Sequence, residues 1–230
     1  MVRSWDNLTN KSIIPALTDV ILVNNGIIKD EINTIQKAGH IPVEIVGSPQ
    51  FDYYTGYKPT PKEIFFKNLG FDADKKIIMF APMGSKFIAS DWQILQILHD
   101  AIRDGSIKGK PNLLVRFPPG DGIENLVRVK LSNEVRVFKD RPGVGFKVDE
   151  KKDKEFGRED MIHLADSIFY SDLLVNAGSS LCIDIAAFDK PIIFPAFDGF
   201  EKVPYFKSVK KLFEYYHYRY LLRTDACTIA

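Results

Sequence analysis

Apolar residues fall into short unbroken runs, separated by longer stretches with a helical beat. The runs lie at 20–23, 43–46, 77–80, 113–117, 135–138, 173–175 and 192–194 and are rich in β-branched residues. Most are continuous rather than alternating, as strands covered by helices on both faces read. Between them, Thr60-Pro61-Lys62-Glu63 predicts a helix start, with Thr60 as N-cap, Pro61 at the first helical position and Glu63 closing a capping box. That helix should stop near Gly70. Ser90-Asp91-Trp92-Gln93 repeats the box; Trp92, Leu95, Leu98 and Ile102 follow at helical spacing, and Gly105 ends the segment. Met161, Ile162, Leu164, Ala165, Ile168 and Phe169 make a third apolar stripe, and Ile28, Ile32 and Ile35 a weaker one ending at Gly39. Strands alternating with helices predict an α/β fold, a Rossmann-like doubly wound parallel sheet.

The stretch 47–60 breaks this rhythm with Gly, Pro and tyrosines in no period, and reads as a linker. The chain accordingly divides into a partial N-terminal α/β domain over 1–52, a hinge over 53–62 and a Rossmann-like domain over 63–230. The polar stretch 140–158 is expected to be a mobile surface loop. Both ends look cut: nothing before Trp5 leaves room for a first βα unit, and no closing helix follows Leu222.

Composition narrows the classes. Hydrophobic residues make up 45% of the 230 and charged residues 27%, a globular balance rather than a disordered one. Lys and Arg total 31 against 30 for Asp and Glu, so no electrostatic case exists for non-specific nucleic-acid binding. The two cysteines, Cys182 and Cys227, have no metal-ligand spacing, which fits a reducing cytoplasmic setting and no zinc module. No apolar run approaches the ~20 residues of a spanning helix, and no signal-peptide pattern is visible. Peripheral contact at the inner face of a membrane stays open.

Candidate chemistry concentrates in 172–191, which reads strand, small-residue turn, helix, and a strand opened by Pro191. Gly178-Ser179-Ser180 sits where that helix begins, so backbone N–H groups and two hydroxyls converge on a spot suited to a diphosphate. Gly178 would let an anion approach the backbone. Asp184 follows Ser180 by four residues and shares its helix face, within reach of a ribose. Ser179 as a plain N-cap and Asp184 as a surface acid is the competing reading. The helix is otherwise apolar all round, which argues against an Asp184 facing open water.

The pattern Asn176-Ala177-Gly178-Ser179-Ser180, then Asp184, then Lys190-Pro191, resembles the C-terminal domain of GT-B glycosyltransferases of surface and capsular polysaccharide assembly. It is similar also to the related CDP-glycerol glycerophosphotransferases and to UDP-N-acetylglucosamine 2-epimerases. The segments Ser4-Trp5-Asp6-Asn7-Leu8-Thr9, 19–23 and 46–52 extend the resemblance to a late N-terminal domain and hinge. It implies that 63–230 binds a nucleotide-sugar, Ser179 and Ser180 holding the diphosphate and Asp184 the ribose. Asp198, after the next strand, would touch the sugar; its alternative is a loop Asx-turn. Ser85 and Lys86, after the first strand of this domain, would lie on the same ligand edge, with Lys86 neutralising phosphate; the commoner alternative for Lys86 is a solvated loop lysine. Arg116 is either a phosphate contact or one half of a buried ion pair. Glycerophosphotransferases carry Arg-Pro-His-Pro near that point, and Phe117-Pro118-Pro119 has no histidine, which ranks sugar transfer ahead of glycerophosphate transfer.

Other signals are discounted. Asp72-Ala73-Asp74 spells a DxD but precedes a strand, at the edge away from ligands, and reads as a turn. His40, His99, His163 and His217 share no motif, and Gly143-Val144-Gly145 lacks a strand–helix context. Tyr215, Tyr216, Tyr218 and Tyr220 are expected to pack on an absent segment or to stay exposed. The reading is a glycosyltransferase-like protein using a nucleotide-sugar donor and a polysaccharide or lipid-linked acceptor, with no metal or cofactor. No catalytic base is assigned; Asp6 reads better as a turn residue. An epimerase-like enzyme, a glycerophosphotransferase-like enzyme and a nucleotide-binding fragment without turnover are the alternatives, and the isolated chain is expected to be inactive.

Overall fold

The structure, a computed structural model, describes residues 18–118, 123–145, 154–215, 218 and 222–230. The motif at Ser4–Thr9 with Asp6, together with Tyr216, His217 and Tyr220, lies outside the described residues. The chain forms two compact units, one ending at Tyr57 and the other running from Lys58 to Ala230.

In the first unit, β1 (Ile21–Val23) and β2 (Val43–Ile45) pair in parallel, with α1 (Gly26–Thr34) between them. Asn25 caps α1 by accepting the Ile28 N–H at 3.0 Å. Ile28 and Ile32 bury with Ile21, Val23, Ala38, Ile41 and Val43. Ile35 lies past the helix end and is exposed, so the apolar stripe is one residue shorter than its spacing suggested. The aperiodic linker is not structureless: Pro49–Tyr54 form a 3-10 helix with proline at its start.

The second unit is built on α2 (Lys62–Leu69), β3 (Ile77–Ala81), α3 (Asp91–Arg103), β4 (Asn112–Arg116) and β5 (Val137–Asp140). A short antiparallel pair, β6 (Val144–Gly145) and β7 (Lys154–Glu155), follows. Then come α4 (Arg158–Tyr170), β8 (Leu173–Asn176), α5 (Leu181–Ala186), β9 (Ile192–Phe194) and β10 (Thr228–Ile229). Six strands form one sheet in the order β10-β9-β8-β3-β4-β5, and every pair in it is parallel. β3 and β4 are buried at every position, as their unbroken apolar runs require. Ile78, Phe80, Leu113 and Val115 pack under Trp92, Leu95 and Ile102 of α3. This is the expected Rossmann-like parallel α/β architecture, with β10 added at the edge beyond β9.

Both predicted capping boxes mark helix starts, yet neither forms. α2 begins at Lys62 with Pro61 at the cap, and the backbone of Thr60 is gripped instead by α4. The Thr60 N–H donates to Asp166 at 2.9 Å, and the Tyr170 hydroxyl donates to the Thr60 carbonyl. At α3, Ser90 makes no cap bond. Its hydroxyl donates to Asp198 at 3.2 Å, and Gln93 pairs with the backbone of Glu201 in both directions. Long-range partners outcompete the local cap because these side chains are buried beside another loop. The stretch 140–158 is anchored at its base: Asp160 accepts the N–H groups of Gly143 and Gly157. Asp72-Ala73-Asp74 is the expected turn, with the Asp74 N–H on Asp72 Oδ1 at 3.1 Å.

Candidate functional site

Strand order reverses between β3 and β8. From β3 the chain proceeds outward through β4 and β5; from β8 it proceeds the other way through β9 and β10. Loops leaving the carboxyl ends of these two strands diverge, and the crevice between them is where open parallel α/β sheets bind ligands. The turn after β3 carries Gly84, Ser85 and Lys86; the turn after β8 carries Gly178, Ser179 and Ser180. Ala81 and Asn176 are partners in register, so the two turns leave adjacent strands side by side.

Asn176 organises this edge. It is fully buried, and its Nδ2 donates across the strands to the Ala81 carbonyl at 2.5 Å. Its Oδ1 accepts the N–H groups of Gly178 and Ser179, each at 2.6 Å, and the Cys182 thiol at 3.2 Å. Two of the backbone donors expected to face an anion are therefore committed to this asparagine. What the turn offers outward is Ser179, half-buried, and Ser180, exposed; among the described residues their hydroxyls make no hydrogen bond. α5 has only six residues, so its dipole adds little beyond the turn itself.

Gly178 has a different reason from the expected one. At φ +100 it needs glycine, and the space beside its Cα is filled by a phenol rather than left for an anion. Tyr218 donates to the carbonyls of Ala177 at 2.6 Å and Gly178 at 3.0 Å, and burial raises its hydroxyl pKa. The expectation of an exposed or unpartnered tyrosine fails at Tyr218, which is 1% exposed. Gly178→Ala would place a Cβ 2.0 Å from the Tyr218 oxygen, on top of roughly 1–3 kcal/mol of backbone strain. A strong fall in melting temperature is expected, partly recovered when Tyr218→Ala is combined with it; strictly additive melts would disprove the coupling.

The remaining candidates separate. Asp184 is 5% exposed, on the first turn of α5, so its carboxylate faces the interior rather than open water. The apolar surroundings of that helix foretold the burial. Arg116 is not on the crevice surface: it forms a buried ion pair with Asp140, its register partner on β5. His163 Nε2 lies 3.3 Å from the other Asp140 oxygen. Burial pushes the Asp140 carboxyl up, but the His163 hydrogen bond and the Arg116 charge outweigh it and hold the group below its ordinary value. Asp198 is a loop clamp, accepting from Ser90, from the Ser208 hydroxyl at 2.6 Å and from the Val209 N–H at 2.8 Å.

Ser85 and Lys86 hold the position expected of them, half-buried and exposed at the end of β3. Their turn is tied back by the Gly84 N–H on Asp91 Oδ2 at 2.9 Å. His99 is structural: its Nε2 accepts the Ser132 N–H at 3.0 Å, and Nδ1 lies 3.2 Å from Asp100. Burial pushes the Cys182 thiol far up, which leaves it inert as a nucleophile. Among the described residues, no group of three metal-ligating side chains comes together. Three residues were given no role of their own from the sequence: Asn176, read only as part of the turn motif, Tyr218, read only as one of a tyrosine cluster, and Lys207, which nothing local marks.

The chain aligns with several solved structures. The solved structure of the wall teichoic acid polymerase TagF, in a form soaked with CDPG, aligns with TM-score 0.50 at 18% identity, covering 78% of this chain and 38% of that one. E. coli ADP-heptose lps heptosyltransferase II aligns more loosely, with TM-score 0.40 and 9% identity over 75% of this chain and 44% of that one. A glycosyltransferase from Rickettsia africae ESF-5 gives 0.41 and 14% over 90% and 55%. The chain thus spans well under two thirds of each of these proteins. No curated protein sequence matches it significantly. The sequence does match one family, CDP-glycerol:poly(glycerophosphate) glycerophosphotransferase, over residues 16–205. This is one of the related families the turn motif resembles, placed behind sugar transfer for want of the motif histidine. With most of both units inside the match, the chain belongs to this glycerophosphotransferase family.

Proposed function

We propose that this chain is the donor-binding portion of a transferase that builds a surface polymer from a nucleotide-activated donor. One observation carries the reading: strand order reverses at β3 and β8, and the turns leaving those strands present Ser85, Lys86, Ser179 and Ser180 at the carboxyl edge. The hydroxyls and the Lys86 ammonium stabilise the leaving nucleoside diphosphate, so catalysis here is electrostatic and uses no metal or cofactor. The donor in this reading is a nucleotide-sugar, with CDP-glycerol, which the family's description names, as the second reading. Phe117-Pro118-Pro119 supplies no histidine, and Arg116 is held in an internal ion pair. The acceptor is a polysaccharide or a lipid-linked chain. No helix among the described residues is long and apolar enough to cross a membrane.

Calorimetry with UDP, CDP, GDP, their sugar conjugates and the bare nucleosides tests this. Ser180→Ala removes a donor to a charged group, a loss of about 1.5–3 kcal/mol, or roughly 10–100-fold in affinity. Nucleoside diphosphates are expected to weaken by that factor while bare nucleosides stay within about twofold. A Ser180→Ala protein that binds the whole panel as the parent does, with its circular dichroism unchanged, overturns the site. CDP-glycerol binding tighter than every sugar conjugate overturns the choice of donor.

A further inference from the structure

Lys207 is a cation placed with unusual care. It ends the 3-10 helix Tyr205–Lys207, in the loop after β9, a strand two places from β3 in the sheet. Its Nζ donates to the carbonyls of Ser85 and Lys86, each at 2.7 Å, and its own carbonyl accepts the Ala89 N–H at 3.0 Å. Neighbouring bonds fix the segment that carries it. Asp198 holds Ser208 and Val209, and Gln93 holds the backbone of Glu201. The loop after β9 is therefore clasped to the turn after β3 at several points along its length.

The charge on Lys207 is left over. An ammonium carries three donors, and two of them go to neutral carbonyls. Among the described residues no carboxylate pairs with it, although Arg128 and Glu201, on the same clasp, pair with each other at 2.7 Å. The turn it grips contributes a second lysine, exposed Lys86, of the same sign. Among the described residues neither lysine has a carboxylate partner, so an anionic ligand reaching this turn would meet both charges uncompensated.

We infer that Lys207 is a second cation of the donor site. It positions the Ser85–Lys86 turn through two carbonyls and directs its remaining N–H to the phosphates of a nucleoside diphosphate. The inference rests on the crevice proposed above as the donor site. It assigns to the loop after β9 a share in holding the leaving group, alongside the turns after β3 and β8.

The test is calorimetry of the full chain with UDP and uridine, and with CDP and cytidine, at low and high salt. Lys207→Gln keeps donors for the two carbonyls and loses the charge; Lys207→Arg keeps the charge; Lys207→Met loses both. The expected result is a drop of at least about tenfold in diphosphate affinity for Gln and Met, nucleosides within about twofold, a flatter salt dependence, and recovery by Arg. Equal weakening of diphosphate and nucleoside, or Gln binding as the parent does, overturns the role of Lys207. Ser180→Ala runs alongside: if it weakens the diphosphate while Lys207→Gln does not, Lys207 fails and the donor site stands. If the parent binds no nucleoside diphosphate at all, the donor site itself fails. Should Lys207→Met unfold, Gln and Arg alone decide the outcome.

Discussion

Asp140→Asn is expected to destabilise the larger unit by about 3–5 kcal/mol, the range for breaking a buried ion pair from one side. Arg116 and Asp140 end β4 and β5 in register and are 6% and 4% exposed, so the guanidinium left behind has no route to bulk water. Arg116→Met is expected to be as damaging, because it strands the carboxylate. Replacing both, as Arg116→Met with Asp140→Leu, should recover most of the loss, since an apolar pair of similar volume carries no desolvation penalty. Urea unfolding followed by the fluorescence of Trp92, which packs in the same core, reads all three. A midpoint for Asp140→Asn within error of the parent's would sink the claim. The double variant also settles what Arg116 is for. If it folds and binds UDP as the parent does, the guanidinium is structural; lost UDP affinity with the fold intact would return it to the anion site.

The same pair fixes the sign of a pH effect. The Asp140 carboxyl lies below its ordinary value in the folded chain, despite burial, through His163 and Arg116. Its contribution is therefore complete above the ordinary carboxylate pKa of about 3.9 and disappears as the pH falls through the lower folded value. The parent should lose stability steeply on acidification below that point. Asp140→Asn, less stable at neutral pH, should show a shallower acid limb; parallel limbs would mean that other carboxylates govern acid unfolding.

Sequence patterning carried the architecture because burial on both faces leaves a plain mark: β3 and β4 have no polar position facing water, so their runs are unbroken. Boundaries shifted where that mark ran out. The fifth strand sits at Val137–Asp140 rather than 135–138, because Asp140 is buried by its ion pair and a lone carboxylate does not read as strand interior. β10 has two residues, too little pattern to detect. The site was legible as a place and less so as a set of roles. Ser179, Ser180, Ser85 and Lys86 do lie on turns at the switch point. Gly178, Asp184, Asp198 and Arg116 were assigned to ligand because small, acidic and basic residues near a ligand edge invite it. Gly178 instead meets Tyr218, Asp198 meets Ser90 and Ser208, Arg116 meets Asp140, and Asp184 is buried. Spacing along one segment cannot show a partner tens of residues away.

Asn176 is where the second large effect is expected. Asn176→Ala removes one donor and one acceptor that together satisfy four groups, among them the buried Ala81 carbonyl and the buried Gly178 N–H. Each buried group left unpaired costs about 1–3 kcal/mol, so a loss on the order of 4 kcal/mol is expected. Asn176→Asp separates the two halves of the side chain. A carboxylate still accepts from Gly178 and Ser179, but it turns an oxygen toward the Ala81 carbonyl and buries a charge, so Asp should be no better tolerated than Ala. The damage should also be local before it is global. In native-state hydrogen exchange the Gly178 and Ser179 amides are expected to be protected in the parent and to exchange freely in Asn176→Ala, under conditions where β3 and β4 remain protected. UDP affinity should fall with them, because Ser179 and Ser180 are presented by the turn that Asn176 holds. Amides of Gly178 and Ser179 that stay as protected as in the parent would show that the turn is shaped by α5 and Tyr218, and that Asn176 is a passenger at the strand end.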